Sequence, residues 1–353
     1  MRWWQAGSAL FWVYVLSLLI GWAALILQLL GVLAATGVQV AVGTPFAVVT
    51  LLVFGWLIVL LDRLRARTVI RGGMIMGLLW GALAGPGLAL FANDRMMRII
   101  QGLAGESFAD SWQAPISATI VEEGVKGLGV FTVAWLGRGV FVRPMQGLLL
   151  GACTGLGFQV VEDVIYSANA GVASAEGGAA PAILVGVVRF VAGLASHWMF
   201  TAFAGIGIVL AVARRDWAMP RRIGVLAAWY LLGCALHFGW DAPGPDGLEN
   251  LLIVVKLLGY IVVFAAVYVW VLHTERVWLR ALTPFAAARG LAPAPELATL
   301  VTRRSRRRAR KLIPVPKWQQ TRRQRWLLDE LQRLGTLPLD RLIPTGPILE
   351  APR

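Results

Sequence analysis

Apolar runs about twenty residues long recur along most of this chain, and each has the length an α-helix needs to cross a hydrocarbon core of ~30 Å. Eight are found, at 9–30, 45–61, 73–92, 116–136, 146–168, 190–211, 223–241 and 250–272. A backbone removed from water must satisfy its own N–H and C=O groups, and continuous runs of this length do so as helices. The expected fold is therefore all-α: a polytopic transmembrane helical bundle of about eight spans over residues 1–272, followed by a tail at 273–353. With 58% hydrophobic and 15% charged residues and a mean hydropathy of +0.69, the chain lies outside the soluble globular range. The first run is too long, and too closely followed by others, to read as a cleaved signal peptide.

The net charge of +14 is unevenly spread. From His273 onward there are seventeen Lys and Arg against six Asp and Glu, so eleven of the fourteen net charges lie in the tail. A basic segment beside a membrane domain meets anionic lipid headgroups more readily than nucleic acid, so lipid is the expected partner of the run at 303–311 and no nucleic acid is expected. Segment 326–334 has helical spacing of apolar residues and is expected either on the membrane surface or in a solvated, partly disordered tail. Between spans, Lys and Arg gather on the side of Arg2, at Arg63, Arg65, Arg67, Arg71, Arg138, Arg143 and Arg214 among others, whereas the opposite loops carry only Arg95 and Arg98. By the positive-inside rule both termini are cytoplasmic. Cys153 and Cys234 have neither disulfide nor zinc-ligand spacing and read as small buried apolar residues.

Within the apolar runs sit four ionisable clusters: Glu122-Glu123 with Lys126, Glu162-Asp163, His197, and His237 with Asp241. An unpaired charge inside a bilayer costs several kcal/mol, so such groups mark polar chemistry. Counted along their helices at 1.5 Å per residue, all four fall roughly 6–11 Å below the outer boundary, in one layer. Lys126 is one turn from both glutamates and can neutralise one while the other points into the bundle. Asp241 is one turn from His237 and can fix its tautomer. Gly155, Gly157, Gly205 and Gly207 permit close helix approach. Taken singly, each cluster also has a bland reading: a structural ion pair, a helix end dipping into headgroup water, a hydrogen-bonded packing histidine, a helix cap. Arg189 is read as snorkelling outward, the apolar stretch 181–189 as a surface helix or an extension of the sixth span, and Lys256 as reaching water or a site carboxylate.

At these residues the chain resembles the PrsW family of intramembrane proteases, within the superfamily of CAAX prenyl proteases and bacteriocin-processing proteins. An EExxK motif stands at Glu122-Glu123-Gly124-Val125-Lys126 and an FxxxE motif at Phe158-Gln159-Val160-Val161-Glu162. A histidine on the next helix, His197, and an HxxxD motif, His237 to Asp241, complete the order over about 73–272. The resemblance implies a glutamate-dependent peptidase of the bacterial plasma membrane that cleaves membrane-anchored proteins near the outer face, such as an anti-sigma factor in regulated proteolysis. The tail lies outside it.

Amide hydrolysis suits this set of side chains. Glu122 or Glu123 is the expected base on water, Glu122 being favoured for its spacing to Lys126; Glu162 and His197 position water or carry protons; His237 with Asp241 stabilises the oxyanion; Phe158 and Asp163 support them. No cofactor is required by this scheme. A zinc site of Glu122, Glu162, His197 and His237 is the second version, ranked below because no HExxH helix is present. A proton-coupled transporter or sensor is the rival from outside enzymology.

Overall fold

The structure is a computed structural model and describes residues 3–173, 178–312 and 314–337. Among these residues there are helices and turns and no strand. Seven helices are long and apolar enough to cross a membrane: 9–32, 37–61, 67–104, 144–170, 180–213, 219–241 and 251–288. The chain is a multi-pass membrane protein. The expected fourth span, 116–136, is helical but is absent from the seven, because Glu122, Glu123 and Lys126 fall inside it and the uncharged remainder is too short.

The chain divides within its last long helix into two compact units, Met1–Leu61 with Ile70–Tyr268, and Asp62–Val69 with Val269–Arg353. The first begins with α1 (Ala9–Ala35) and α2 (Gly37–Leu61), then α3 (Arg67–Leu79), a π-helical turn at Trp80–Ala84 and α4 (Gly85–Ala104). Next come α5 (Glu106–Ser117), a second π-helical turn at Ala118–Glu122, α6 (Glu123–Leu136) and α7 (Pro144–Ala173). α8 (Ala180–Ala192) passes through a short 3-10 turn and an extended Ser196 into α9 (His197–Ala213), and α10 (Met219–Asp241) and α11 (Glu249–Ala288) follow. The sixth expected span is thus interrupted at Ser196. Stretch 181–189 extends it on the far side of the break.

α9 is the axis of the first unit, buried along nearly its whole length. α7 lies against it without side chains between the backbones. A Cβ at Gly151 would stand 2.1 Å from the Thr201 carbonyl oxygen, and one at Gly155 2.2 Å from that of His197. Glycine four residues apart on one face lets two membrane helices touch, where dispersion replaces the hydrophobic effect as the packing force. The approach also fixes the height of His197 against α7.

In the second unit the tail is folded as far as residue 337. α12 (Ala294–Ala298), α13 (Arg303–Leu312) and α14 (Lys317–Leu334) pack with the end of α11, burying Leu279, Leu297, Leu300, Leu327, Leu328 and Leu331 to 3% exposure or less. Of the apolar residues in 326–334, Leu327, Leu328 and Leu331 are therefore spent on this core, while Trp326 is exposed; residues 338–353 lie outside the described residues.

Candidate active site

Pro115 brings no N–H to the end of α5, and the hydrogen-bond ladder resumes through the wider π turn at Ala118–Glu122. That turn ends at Glu122, and α6 starts at Glu123, so the two adjacent carboxylates leave the helix at the point where its winding changes. Both are buried, at 6% and 1% exposure, as is Lys126. Glu122 faces a cavity of about 270 Å³, whose wall also includes Glu162, Arg189, His197, His237 and Asp241. Glu123 faces α9 and α10 instead: its carboxylate meets Lys126 Nζ at 2.7 Å, His237 Nδ1 at 2.9 Å and the Thr201 hydroxyl at 3.3 Å.

The histidines arrive from two helices. His197 opens α9, its backbone N–H donating to the Ser196 Oγ cap at 2.6 Å, so it stands at a helix start within the candidate span 180–213. Its Nε2 lies 2.7 Å from Glu162 Oε2, and Lys126 Nζ lies 2.9 Å from its Nδ1. His237, on α10, meets Glu123 through Nδ1 and Asp241 Oδ2 through Nε2 at 3.2 Å. Each imidazole thus has one nitrogen on a glutamate, the outer hydrogen bond that orients a ligand or base histidine. The other nitrogens turn toward Glu122 Oε2, at 4.0 Å from His197 Nδ1 and 3.8 Å from His237 Nε2. One ligand atom each from Glu122, His197 and His237 lies within 4.8 Å of the other two.

Glu122 Oε2 itself accepts no hydrogen bond, although it is buried. Its sister oxygen takes the Asn93 amide at 3.2 Å, and Asn93 is held by the Ser117 hydroxyl at 2.8 Å. Thr119, Gln159 and Asp163 also have unpartnered buried atoms, but only Glu122 Oε2 has two imidazole nitrogens turned to it. The formal charges point the same way. Five carboxylates, Glu122, Glu123, Glu162, Asp163 and Asp241, share the cluster with Lys126 and Arg189, and Lys256 caps the nearby end of α10 through the Trp240 and Ala242 carbonyls. With the histidines neutral, the carboxylates outnumber the cations, in a site where uncompensated charge costs several kcal/mol.

All six residues expected to carry the chemistry, and Lys126, meet in this cluster. Phe158 packs beside it, its ring 5.2 Å from that of His197 and 4.5 Å from Lys126 Nζ. Asp163 is close but stands behind the cavity wall. Three readings change. Arg189 does not snorkel: it binds Glu162 at 2.5 Å and Asp163 at 2.8 Å. Lys256 takes carbonyls, not a site carboxylate. Lys126 sits nearer Glu123 than Glu122, whose oxygen is 3.7 Å away, so spacing to the lysine is not what distinguishes Glu122. Asn93, Ser117, Ser196 and Thr201 carry no charge and gave no signal in the sequence; Arg189 did, as a cation in an apolar stretch one helix from two unexplained carboxylates.

A family model described as PrsW family intramembrane metalloprotease matches residues 71–271. Searches of curated proteins and of solved structures returned no match.

Proposed function

The chain belongs to the PrsW family of intramembrane proteases, and from that membership we propose that it hydrolyses peptide bonds of membrane-anchored proteins at a divalent-cation site held by Glu122, His197 and His237. One observation carries the assignment: the buried, unpartnered Glu122 Oε2 faces one nitrogen of each histidine, while the other nitrogen of each is already fixed by Glu162 or Glu123. Oxygen and imidazole donors of this kind suit zinc. Such a cation, when bound, supplies Lewis-acid polarisation of the scissile carbonyl and acidification of a water.

The protein groups divide the remaining work. Glu162, itself clamped by Arg189, sets the ring of His197, and Glu123, neutralised by Lys126, sets that of His237. Asp241 lines the cavity and is the cluster's most exposed carboxylate at 32%; it takes the proton of the attacking water and returns it to the leaving amine. This assigns Asp241 to proton transfer, since an ionised carboxylate repels an oxyanion.

A metal-free version, with Glu122 as the base, is favoured by two contacts: Lys126 Nζ sits on His197 Nδ1 and Asp241 Oδ2 on His237 Nε2, the two nitrogens a cation needs. The metal version ranks first because Lys126 has Glu123 at 2.7 Å as a second partner to turn to. In both, Glu122 is indispensable. The proposal extends to a bacterial plasma membrane, to eight crossings with 116–136 among them, to cytoplasmic termini, and to an anti-sigma factor as the kind of membrane-anchored substrate. Against a transporter or sensor stands the family itself.

The test is a comparison of membrane-protein fragments from cells expressing wild type or Glu122→Gln at matched levels. Fragments that vanish in the variant and are regenerated by purified wild type support proteolysis. An unchanged fragment pattern, with the variant still failing to complement a deletion, refutes it.

A further inference from the structure

Burial of Leu327, Leu328 and Leu331 turns one side of α14 into the core of the second unit and fixes which side faces out. The outer side carries Trp318, 65% exposed, and Trp326, 48% exposed, with Arg322 and Arg325 exposed between them. Positions 318, 322, 325 and 326 share a helix face. Shortly before α14, Leu312 at the end of α13 and Val315 are also exposed, at 83% and 40%. A hollow of about 600 Å³ runs among Lys317, Trp318, Arg322, Arg325 and Trp326.

The nearby acids are engaged elsewhere. Asp329, at the inner rim of the hollow, is bound by Arg65 through two bonds of 2.5 and 2.7 Å; Glu296 pairs with Arg323 and Glu330 with Arg333. Lys317, Arg322 and Arg325 have no ion pair among the described residues. The α14 face therefore combines uncompensated positive charge with exposed indole side chains, and exposed apolar residues stand close before it in sequence, a combination that water disfavours and a soluble surface avoids.

We propose that this face binds an anionic lipid bilayer, with Trp318, Trp326, Leu312 and Val315 entering the headgroup boundary and Lys317, Arg322 and Arg325 meeting lipid phosphates. Charge complementarity selects an anionic partner. The apolar side chains select a bilayer over nucleic acid: indoles can stack on bases, but Leu312 and Val315 have no counterpart on a sugar-phosphate chain, whereas both belong at a headgroup boundary. Chain continuity helps, because the unit follows a membrane-spanning helix and so meets a bilayer at high effective concentration. This moves the lipid contact expected at 303–311 onto α14 and its leading turn. It holds whether or not the cavity of the first unit is proteolytic.

The test uses the full chain in nanodiscs, with Cys153 and Cys234 replaced by Ala and a nitroxide placed at Val315→Cys. Access of the label to dissolved oxygen and to a water-soluble nickel chelate is compared in phosphatidylcholine alone and with about 30% phosphatidylglycerol. The expected result is a rise in the oxygen-to-nickel ratio of roughly threefold or more with the anionic lipid, abolished by Lys317→Gln/Arg322→Gln/Arg325→Gln and reduced by Trp318→Ala, whose exposed side chain is not needed for folding. A label at Ala298→Cys, outside the face, stays unchanged. Equal ratios in the two lipids, an equal shift at Ala298→Cys, or shielding of the label by a DNA oligonucleotide or inorganic phosphate in phosphatidylcholine nanodiscs as strong as that by phosphatidylglycerol would each overturn the proposal.

Discussion

In the second unit, the buried Asp62 and the half-buried Asp329 have both oxygens engaged. Asp62 takes the backbone N–H groups of Ala66 and Arg67 and the Arg67 guanidinium, and Asp329 takes Arg65 on both oxygens and Thr68 on one. In the polar layer of α6, α7, α9 and α10, by contrast, Glu122 has one oxygen on Asn93 while the other accepts no hydrogen bond, its nearest cation being Lys126 at 3.7 Å, and carboxylates outnumber cations. A buried network that only holds a fold closes on itself, because each unmade hydrogen bond costs about 1–3 kcal/mol. One that leaves an acceptor facing two imidazoles is kept open for something that arrives later.

Replacement at the open oxygen should therefore cost activity and not stability. Glu122→Gln is expected to lower proteolysis by roughly 10²-fold or more while leaving the midpoint of thermal unfolding in detergent unchanged or raised, since it removes an uncompensated buried charge. A variant that unfolds as readily as it loses activity would make Glu122 one more structural carboxylate. Closing groups behave in the opposite way. Arg189→Met strands Glu162 and Asp163 and should destabilise the first unit by about 3–5 kcal/mol, which chemical denaturation in mild detergent can read; Glu162→Gln in the same chain should recover part of the loss.

Smaller effects are expected away from charge. Gly151→Leu places a side chain where the Thr201 carbonyl stands 2.1 Å from a Cβ, and should cost about 1–3 kcal/mol while lowering activity through displacement of His197 on α9. Asp329→Asn in the second unit should cost roughly 1 kcal/mol and leave the hydrolysis rate of purified protein as it was. A matched loss of rate would show that the closed network also serves the reaction.

The elements of this comparison differ in how far the sequence discloses them. Charges at 122, 123, 126, 162, 197, 237 and 241 stand out against apolar neighbours; their depth along the helices leads to one layer, and the motifs they form resemble one family. Hydropathy reports composition, not winding, so it passes over the π turn that splits Glu122 from Glu123 and the break at Ser196 that puts His197 at a helix end. Neutral second partners such as Asn93 and Thr201 look like any polar residue in a membrane helix. Arg189 is visible as a charge, but its pairing with Glu162 and Asp163 is not, because pairing across helices depends on the crossing of α7 and α8. In the tail, the amphipathic spacing of α14 is legible; that Leu327, Leu328 and Leu331 are buried while Trp326 is exposed depends on tertiary packing.

The most direct test is the metal content of the purified protein, measured by mass spectrometry for wild type and for Glu122→Gln, His197→Gln and His237→Gln prepared in the same chelator-washed detergent. The account predicts close to one zinc or similar divalent ion per chain in wild type, lost in each variant, with proteolysis lost in chelator and restored by zinc. Wild-type protein that hydrolyses its substrate at full rate without metal, at the same content as the three variants, would contradict it and leave Glu122 as a metal-free base.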